Sequence, residues 1–423
     1  MKMDFTFGKT SSFALLHKGE RGYAVCNYRS LFWKEIMDEK FIPYAKQSID
    51  NEAIEEVCEV LRGEFITRGP KVNEFEEAVA EYCGAKYGIA FNSGTAALAA
   101  ASYVADIGPN DHVISTPITF VATVAAAVRQ GARPHFVDVD SMGNLSLEGV
   151  EEALKVPQSR GKQVVIPVHF GGVAIDMERL AKSVQNPDTI IIEDAAHALG
   201  SCYADGSKVG CCRHSDMTIF SFHPAKNITT GEGGMVMTND DKLAALLRKF
   251  RNNGIEREAL EGKEKGPWVY EVQEITGNYN FTDIQAALGV VQLKRLDRFV
   301  DKRQKLLERY RELLSTVPHV KMLVQEKNNL SAYHLCVVLI DFEAVGKTRQ
   351  AVMESLVKQG IGTQVHYIPL YRHPYFVKMG GFSSEDFPNC ESYYAKTLSL
   401  PLFADLEMEE VERVVTTLKS ALE

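Results

Sequence analysis

The chain has no excess of positive charge, no apolar run long enough to span a bilayer and no paired-cysteine motif. Each absence removes a class of function. Its 47 Lys+Arg against 56 Asp+Glu leave a formal net charge of −9 over 423 residues. That balance offers no basic footprint for nucleic acid or an anionic membrane surface. A small anionic substrate stays open, because one local basic pocket fits inside an acidic protein. The longest apolar stretch, Pro117 to Val128, is rich in Thr and Ala and ends at Arg129, short of the ~20 residues a membrane-spanning helix needs. The N-terminus, MKMDFTFGKTSSFALLHK, carries no continuous apolar core and no small-residue cleavage site, so no secretory signal is expected. The cysteines at 26, 58, 83, 202, 211, 212, 336 and 390 form no C-x-x-C. The adjacent pair Cys211-Cys212 suits neither zinc nor an ordinary disulfide. Reduced thiols packed as small hydrophobes in a cytoplasmic protein are the expectation. Internal repeats and low-complexity tracts are missing too.

What is present is ordinary globular composition, 45% apolar and 24% charged, in a chain long enough for two or three units at roughly 100–200 residues each. Residues 1–42 are aromatic and basic without clear periodicity and read as an arm or extension. Beyond them the spacing predicts helices over Glu52–Leu61 and Val72–Tyr82, the second stopped by Gly84. Apolar runs at Tyr87–Phe91, His112–Ser115, Pro134–Val137, Gln163–Val168 and Thr189–Ile192 alternate with helical sequence. That rhythm is the signature of an α/β unit with a mainly parallel, buried sheet. Two more strand-like runs, Asp216–Phe222 and Gly233–Met237, flank a polar loop of small residues. After Asn278 the sequence is strongly helical, with a long charged amphipathic stretch from Asp283 to about Leu314. From about Ser331 the pattern reads strand–helix–strand, closing with a helix at Met408–Leu422. The domain reading is a large unit over 43–295, then a linking helix and a smaller α/β unit over 296–423.

Four segments carry chemistry. In FNSGTAAL (Phe91–Leu98) a strand stops and a helix starts, placing Gly94, Thr95 and free backbone N–H groups where a phosphate is favoured; alone, it reads equally as an ordinary N-cap. In IIIEDAAHALG (Ile190–Gly200) three isoleucines make a buried strand with Glu193 and Asp194 at its carboxyl end, where open α/β sheets bind ligands. A carboxylate there holds a cationic ring nitrogen or caps the next helix, and His197 is a partner or a satisfied core or helix histidine. In FSFHPAKNITTGEGGMV (Phe220–Val236), Lys226 sits among Gly, Thr and Pro, a setting that desolvates an amine and makes it a nucleophile or base. Ser221 stands at the preceding strand end, in reach of a phosphate. In TGNYNFTDIQAALG (Thr276–Gly289), Asn278 and Asn280 precede a helix that Thr282 or Asp283 caps.

The order of these segments resembles the fold-type I pyridoxal phosphate enzymes and, more narrowly, the DegT/DnrJ sugar aminotransferases, from about Ile42 to the C-terminus. FIPYA, FITRGP, TPITFVAT, FSFHPAKNITTGEGG and QVHYIPLY resemble the branch that aminates UDP-linked 4-keto-6-deoxy-N-acetylhexosamines in pseudaminic acid biosynthesis. The resemblance implies a large mixed, mainly parallel sheet domain with a smaller C-terminal α/β domain. It implies that pyridoxal 5'-phosphate is held by Lys226, with Asp194 on its ring nitrogen and Phe120 on its ring face. Gly94, Thr95 and Ser221 would serve the phosphate side, and His197 would lie near the ring oxygen. Asn278 would reach the phosphate of the neighbouring subunit, which makes a homodimer with shared sites. Tyr44, Glu64, Phe65, Ile66, Thr67, His366 and Tyr367, with Gly94, Ser221 and Asn278, would contact the nucleotide sugar. L-Glutamate is the implied donor, leaving as 2-oxoglutarate. Relatives that deoxygenate sugars carry histidine where this chain has Lys226. The competing readings are amination of a dTDP- or GDP-linked 4-ketosugar and a non-catalytic binding protein of the same fold.

Overall fold

The computed structural model describes residues 41–156, 161–257, 266–323 and 331–423; the expected arm, up to residue 40, lies outside them. Short apolar runs between turn residues become seven strands. These are β1 (Tyr87–Phe91), β2 (His112–Ser115), β3 (Arg133–Phe136), β4 (Gln163–Val165), β5 (Ile190–Asp194), β6 (Met217–Ser221) and β7 (Gly234–Thr238). They form one sheet in the order β1-β7-β6-β5-β4-β2-β3. Neighbours from β3 to β6 run parallel. β7 is antiparallel to both β6 and β1. The strands read as continuous apolar runs because helices cover both faces.

On one face the Ala-rich helix Gly94–Val104 lies close to the strands, with Ala97, Ala100 and Ala101 against Ile89, Phe91, Ile219 and Val236. On the other, Phe75 meets Phe222 edge-on at 5.1 Å and stacks near Phe281 at 5.8 Å. Helix Asp283–Lys294 approaches this cluster through Gly289, where a Cβ would stand 2.7 Å from the Phe75 ring. Two-residue strands β8 (Ile255–Glu256) and β9 (Glu271–Val272) pair antiparallel.

A second sheet, β10 (Val320–Leu323), β11 (Cys336–Ile340) and β12 (Thr397–Leu400), is antiparallel throughout. Its core joins Val338 and Leu398 to Leu306 and Tyr310 of helix Leu296–Leu314 and to Val414 and Leu418 of helix Met408–Leu422. Residues Ile42–Glu423 make one compact unit.

The helical stretch from Asp283 to Leu314 consists of two helices, Asp283–Lys294 and Leu296–Leu314, separated at Arg295. The first is buried on nearly every side and the second along one stripe. Arg295 at the break pairs with Asp50 and Glu52. Cys58, Cys83, Cys202, Cys211, Cys212, Cys336 and Cys390 are free thiols. Among the described residues, no helix is long and apolar enough to cross a membrane.

Candidate active site

The carboxyl ends of β5 and β6 and the start of helix Gly94–Val104 meet at a cavity of about 970 Å³. Open α/β sheets place ligands at this edge. Ser93 caps the helix, its hydroxyl accepting from the Ala96 N–H at 3.1 Å. That leaves the Gly94 and Thr95 N–H groups at the positive end of the helix. Gly234 is paired with Phe91 on one side and Ser221 on the other. A Cβ on Gly234 would lie 2.4 Å from the Ser93 carbonyl, and one on Gly94 would lie 2.9 Å from the Ser221 Cβ. Only glycine at both positions lets the strand ends and the helix start close into one cradle, which is the shape and donor set a phosphate needs.

Asp194 ends β5, 5% exposed. Its Oδ2 accepts from the Thr123 hydroxyl at 2.7 Å, and its Oδ1 accepts from the Ala196 N–H at 3.1 Å. Thr123 takes a hydrogen bond from Thr119, 2.7 Å away. The carboxylate is thus a turn cap and an oriented anion on the cavity wall; the helix it was expected to cap is absent, because turns follow β5.

Lys226 is half-buried at the same wall. Its loop is closed by backbone bonds from Phe222 N–H to the Gly233 carbonyl (2.9 Å) and Thr230 N–H to the Phe222 carbonyl (3.0 Å). Burial lowers the ammonium pKa to about 8, against an opposing pull from Asp194. A substantial fraction of the amine is neutral near physiological pH, the form that attacks a carbonyl or takes a proton.

Among the described residues five histidines line the cavity, and three of them, His197, His334 and His366, are buried. His197 is buried, its pKa held well below the usual value by burial and then by Lys226. Its Nδ1 accepts from the Gly171 N–H at 3.3 Å, so the neutral ring carries its proton on Nε2, 3.2 Å from the Tyr367 hydroxyl. His334 lies beside it, ring centres 4.4 Å apart. His366, pushed down to about 3 by burial and Lys226, has its Nδ1 2.8 Å from the Ser399 hydroxyl. Tyr44 tilts against His366 at 5.8 Å, and Phe120, 58% exposed, tilts against Tyr367 at 6.3 Å.

Gly94, Thr95, Phe120, Asp194, His197, Ser221, Lys226, Tyr44, His366 and Tyr367 therefore converge on one cavity. Glu64, Phe65, Ile66, Thr67 and Asn278 do not line it and are exposed. They belong to two loops tied together elsewhere. The Asp283 N–H donates to the Ile66 carbonyl at 3.1 Å, and Thr67 bridges Thr282. The Asn278 side-chain oxygen accepts from the Asn280 N–H at 3.2 Å.

Sequence reasoning passed over Thr119 and Thr123, although their i, i+4 spacing was the available signal. It also left Glu193 without a role. Glu193 faces away from Asp194 and is 1% exposed. It accepts from His169 Nε2 at 2.7 Å, Tyr203 at 2.5 Å, Thr218 at 2.9 Å and Ser215. The adjoining His169 N–H holds the Asp194 carbonyl at 3.1 Å.

Residues 47–419 match the model of the DegT/DnrJ/EryC1/StrS aminotransferase family. The spore coat polysaccharide biosynthesis protein SpsC of Bacillus subtilis is 38% identical over 90% of this chain and 96% of its own. A Campylobacter jejuni UDP-4-amino-4,6-dideoxy-N-acetyl-beta-L-altrosamine transaminase is 34% identical over 90% of this chain and 98% of its own. Among solved structures, Helicobacter pylori PseC, an aminotransferase of pseudaminic acid biosynthesis, superposes with a TM-score of 0.82 at 30% identity, covering 90% of this chain and 99% of its own. A Streptococcus pneumoniae structure described as a sugar aminotransferase in its PLP form gives 0.80 at 28%, covering 90% and 98%. A half-buried, desolvated amine near an oriented carboxylate beside a phosphate cradle is what such a cofactor requires. The chain belongs to the DegT/DnrJ/EryC1/StrS family of pyridoxal phosphate-dependent sugar aminotransferases, with their fold-type I architecture.

Proposed function

We propose that this enzyme moves the amino group of L-glutamate to C4 of a UDP-linked 4-keto-6-deoxy-N-acetylhexosamine, in the manner of pseudaminic acid biosynthesis. The observation that carries the reading is Lys226, an amine with its pKa lowered to about 8 at the wall of a cavity that also holds the oriented carboxylate of Asp194. The relatives above supply the UDP-linked acceptor as the class to test. Bound pyridoxal phosphate supplies an electron sink for the carbanion formed at the amino carbon and carries nitrogen between the two half-reactions.

The chain supplies the rest. Gly94, Thr95 and Ser221 hold the phosphate through the helix start and a hydroxyl. Asp194, aimed by Thr123, keeps a proton on the ring nitrogen. Phe120 covers one ring face. His197 presents a fixed tautomer and the Tyr367 hydroxyl toward the ring. Lys226 takes the proton from the glutamate α-carbon and later delivers one to C4 of the acceptor. The balance is glutamate plus ketosugar to 2-oxoglutarate plus aminosugar, with nitrogen and oxygen exchanged and no net redox change. Tyr44, His366 and Tyr367 line the acceptor's path. We infer that residues 43–295 form the cofactor domain and 296–423 the linking helix and smaller domain.

We further infer a homodimer in which Glu64–Thr67 and Asn278 complete the partner's cavity. Phe65 and Ile66 are 57% and 50% exposed in one chain. Because their loop is bonded to the Asn278 segment, one partner surface would cover both.

The test uses a panel of UDP-, dTDP- and GDP-linked 4-ketosugars with glutamate, following 2-oxoglutarate and product mass. The expected result is turnover on the UDP-linked acceptor and a cofactor absorbance band that borohydride removes. In Lys226→Ala both are lost. Full turnover by Lys226→Ala, or turnover confined to dTDP- or GDP-linked sugars, overturns the reading.

A further inference from the structure

Glu193 is a buried carboxylate that the proposed reaction leaves unused, although it is the residue beside Asp194. Four donors from separate segments meet it. His169 Nε2 and the Tyr203 hydroxyl reach Oε2 at 2.7 and 2.5 Å, and the Thr218 and Ser215 hydroxyls reach Oε1. His169 is fully buried, and its second ring nitrogen, Nδ1, accepts from the Ile175 N–H at 3.1 Å. A neutral imidazole whose Nδ1 accepts carries its proton on Nε2, here directed at the carboxylate. Both ends of the ring are held, one by backbone and one by a charged acceptor, and hydrogen bonds to charge are the stronger kind.

The chain passes from His169 directly into a single 3-10 turn, Phe170–Gly172, with φ of 63° at Gly171 and 94° at Gly172. Glycine adopts this left-handed backbone without steric cost, and the turn directs its peptide groups at partners outside itself. The Gly171 N–H donates to His197 Nδ1 at 3.3 Å, and the Gly171 carbonyl accepts from the His334 N–H at 2.9 Å. The Gly172 carbonyl accepts from the Ser201 and Ser331 hydroxyls at 2.6 and 2.9 Å. At the head of the turn the His169 N–H donates to the Asp194 carbonyl at 3.1 Å. Glu193 and His169 do not line the active-site cavity, whereas Asp194, His197 and His334 do. One buried ion-paired ring thus anchors the turn whose other side meets three cavity residues.

We propose that Glu193 and His169 are positioning residues that set where the ring proton of His197 lies. Glu193 fixes the His169 ring, and His169 fixes the turn. The Gly171 N–H then occupies His197 Nδ1, so the proton stays on Nε2 and faces Tyr367 and the cofactor's ring oxygen. With the turn displaced, Nδ1 takes the proton, Nε2 becomes an acceptor, and the donor is withdrawn from the ring. His197 is held neutral by burial and by Lys226 and His366, with His334 and Tyr367 beside it, so its tautomer and not its charge is the variable. The effect on the cofactor rests on the reading that places His197 at the ring oxygen; the control of the tautomer does not.

The holoenzyme tests it in wild type, Glu193→Gln, His169→Leu and His169→Gln. The ring nitrogens of isotope-labelled histidine are followed by NMR, with the His197 signals assigned by their loss in His197→Gln. Wild type is expected to show His197 protonated on Nε2. Glu193→Gln puts an amide where donors converge and His169→Leu removes one donor, and both shift His197 toward the Nδ1–H form. A donor to the ring oxygen stabilises its ionised form, so losing it raises the pH midpoint of the cofactor's visible band by about one unit. His169→Gln, whose amide nitrogen replaces Nε2, recovers most of both readouts. Wild type with the proton on Nδ1 overturns the proposal. A folded His169→Leu with His197 still protonated on Nε2 overturns it too, and where that variant does not fold, Glu193→Gln decides by the same signal. A shifted midpoint with an unchanged tautomer also overturns it. A changed tautomer with an unmoved midpoint instead overturns the placement of His197 at the ring oxygen and leaves the positioning role standing.

Discussion

Lys226 is a residue the fold holds at a cost, and the cost is measurable in the cofactor-free protein. Burial lowers its ammonium pKa from 10.5 to about 8, with Asp194 opposing the shift. For a base, a lowered native pKa means that the charged form is disfavoured in the folded state. Below pH 8 both native and unfolded chains carry the charge, and the native state bears the whole penalty. Between about 8 and 10.5 the native amine has lost its proton while the unfolded one retains it. The unfolded chain then binds more protons, so stability rises with pH across that window. The interval corresponds to about 3 kcal/mol, an upper value because Lys226 is half-buried and cavity water screens it. Lys226→Met keeps the length of the side chain and removes the charge. In urea unfolding at matched protein concentration, the variant should gain most over wild type at pH 7. That gain should shrink by about 2–3 kcal/mol on going to pH 10.5. Tyrosines and cysteines that titrate in the same range are common to both chains and cancel in the difference. A difference that stays flat from pH 7 to 10.5, or that grows, would refute the assignment of a desolvated amine.

Two further substitutions probe what surrounds it. Thr123→Val keeps the shape but removes the hydroxyl that donates to Asp194 at 2.7 Å. A hydrogen bond to a charged group contributes about 1.5–3 kcal/mol, so spectrophotometric titration with pyridoxal phosphate should show affinity at least about 10-fold weaker; unchanged affinity would mean that Asp194 needs no orientation. Gly234→Ala puts a methyl 2.4 Å from the Ser93 carbonyl and 2.6 Å from the Gly94 nitrogen. Overpacking of this kind costs about 1–3 kcal/mol, and the cradle must open. Both the melting temperature and cofactor retention should fall, and retention equal to wild type would show that the cradle does not carry the phosphate.

What could be read in the sequence was what local rules control. Apolar runs ended by Gly, Asn and Ser marked the strands of the large sheet within a residue or two, except that β4 stops at Val165, three residues short of the expected end. The Asn92-Ser93-Gly94 break marked the helix start, and the run of small residues marked the Lys226 loop. Thr282 does cap its helix, in a capping box with Gln285. What could not be read depends on partners distant in the chain. Asp283, a candidate cap of its own helix, instead accepts from the Gly69 and Lys71 N–H groups at 2.7 and 2.9 Å. It serves the start of helix Pro70–Cys83 across a stretch of chain that contains the whole large sheet. The break at Arg295, beside Asp50 and Glu52, is likewise invisible to helical periodicity.

Glu193 and Asp194 show why adjacent residues of one type need separate arguments. A strand sends successive side chains to opposite faces, so the same dipeptide delivers one carboxylate to the cavity and the other to the packed side of the sheet. The buried one is matched by four side-chain donors. Burial raises its pKa, but the hydrogen bonds and charge of His169, with Ser215 and Tyr203, outweigh that and hold it below the usual carboxylate value. Asp194 has only Thr123 and the Ala196 N–H, and its remaining capacity faces the cavity. The two differ in what is left over. A carboxylate whose donors are supplied by the protein is structural, and one whose donors are incomplete at a cavity wall is available to a ligand. The same comparison separates Arg303, whose Nη1 donates to the Tyr333, His334 and Leu402 carbonyls, from Arg129, which lines the cavity and meets no polar partner among the described residues. Residue type nominated these side chains, but unspent hydrogen-bonding capacity at the cavity is what distinguishes those that can meet a substrate.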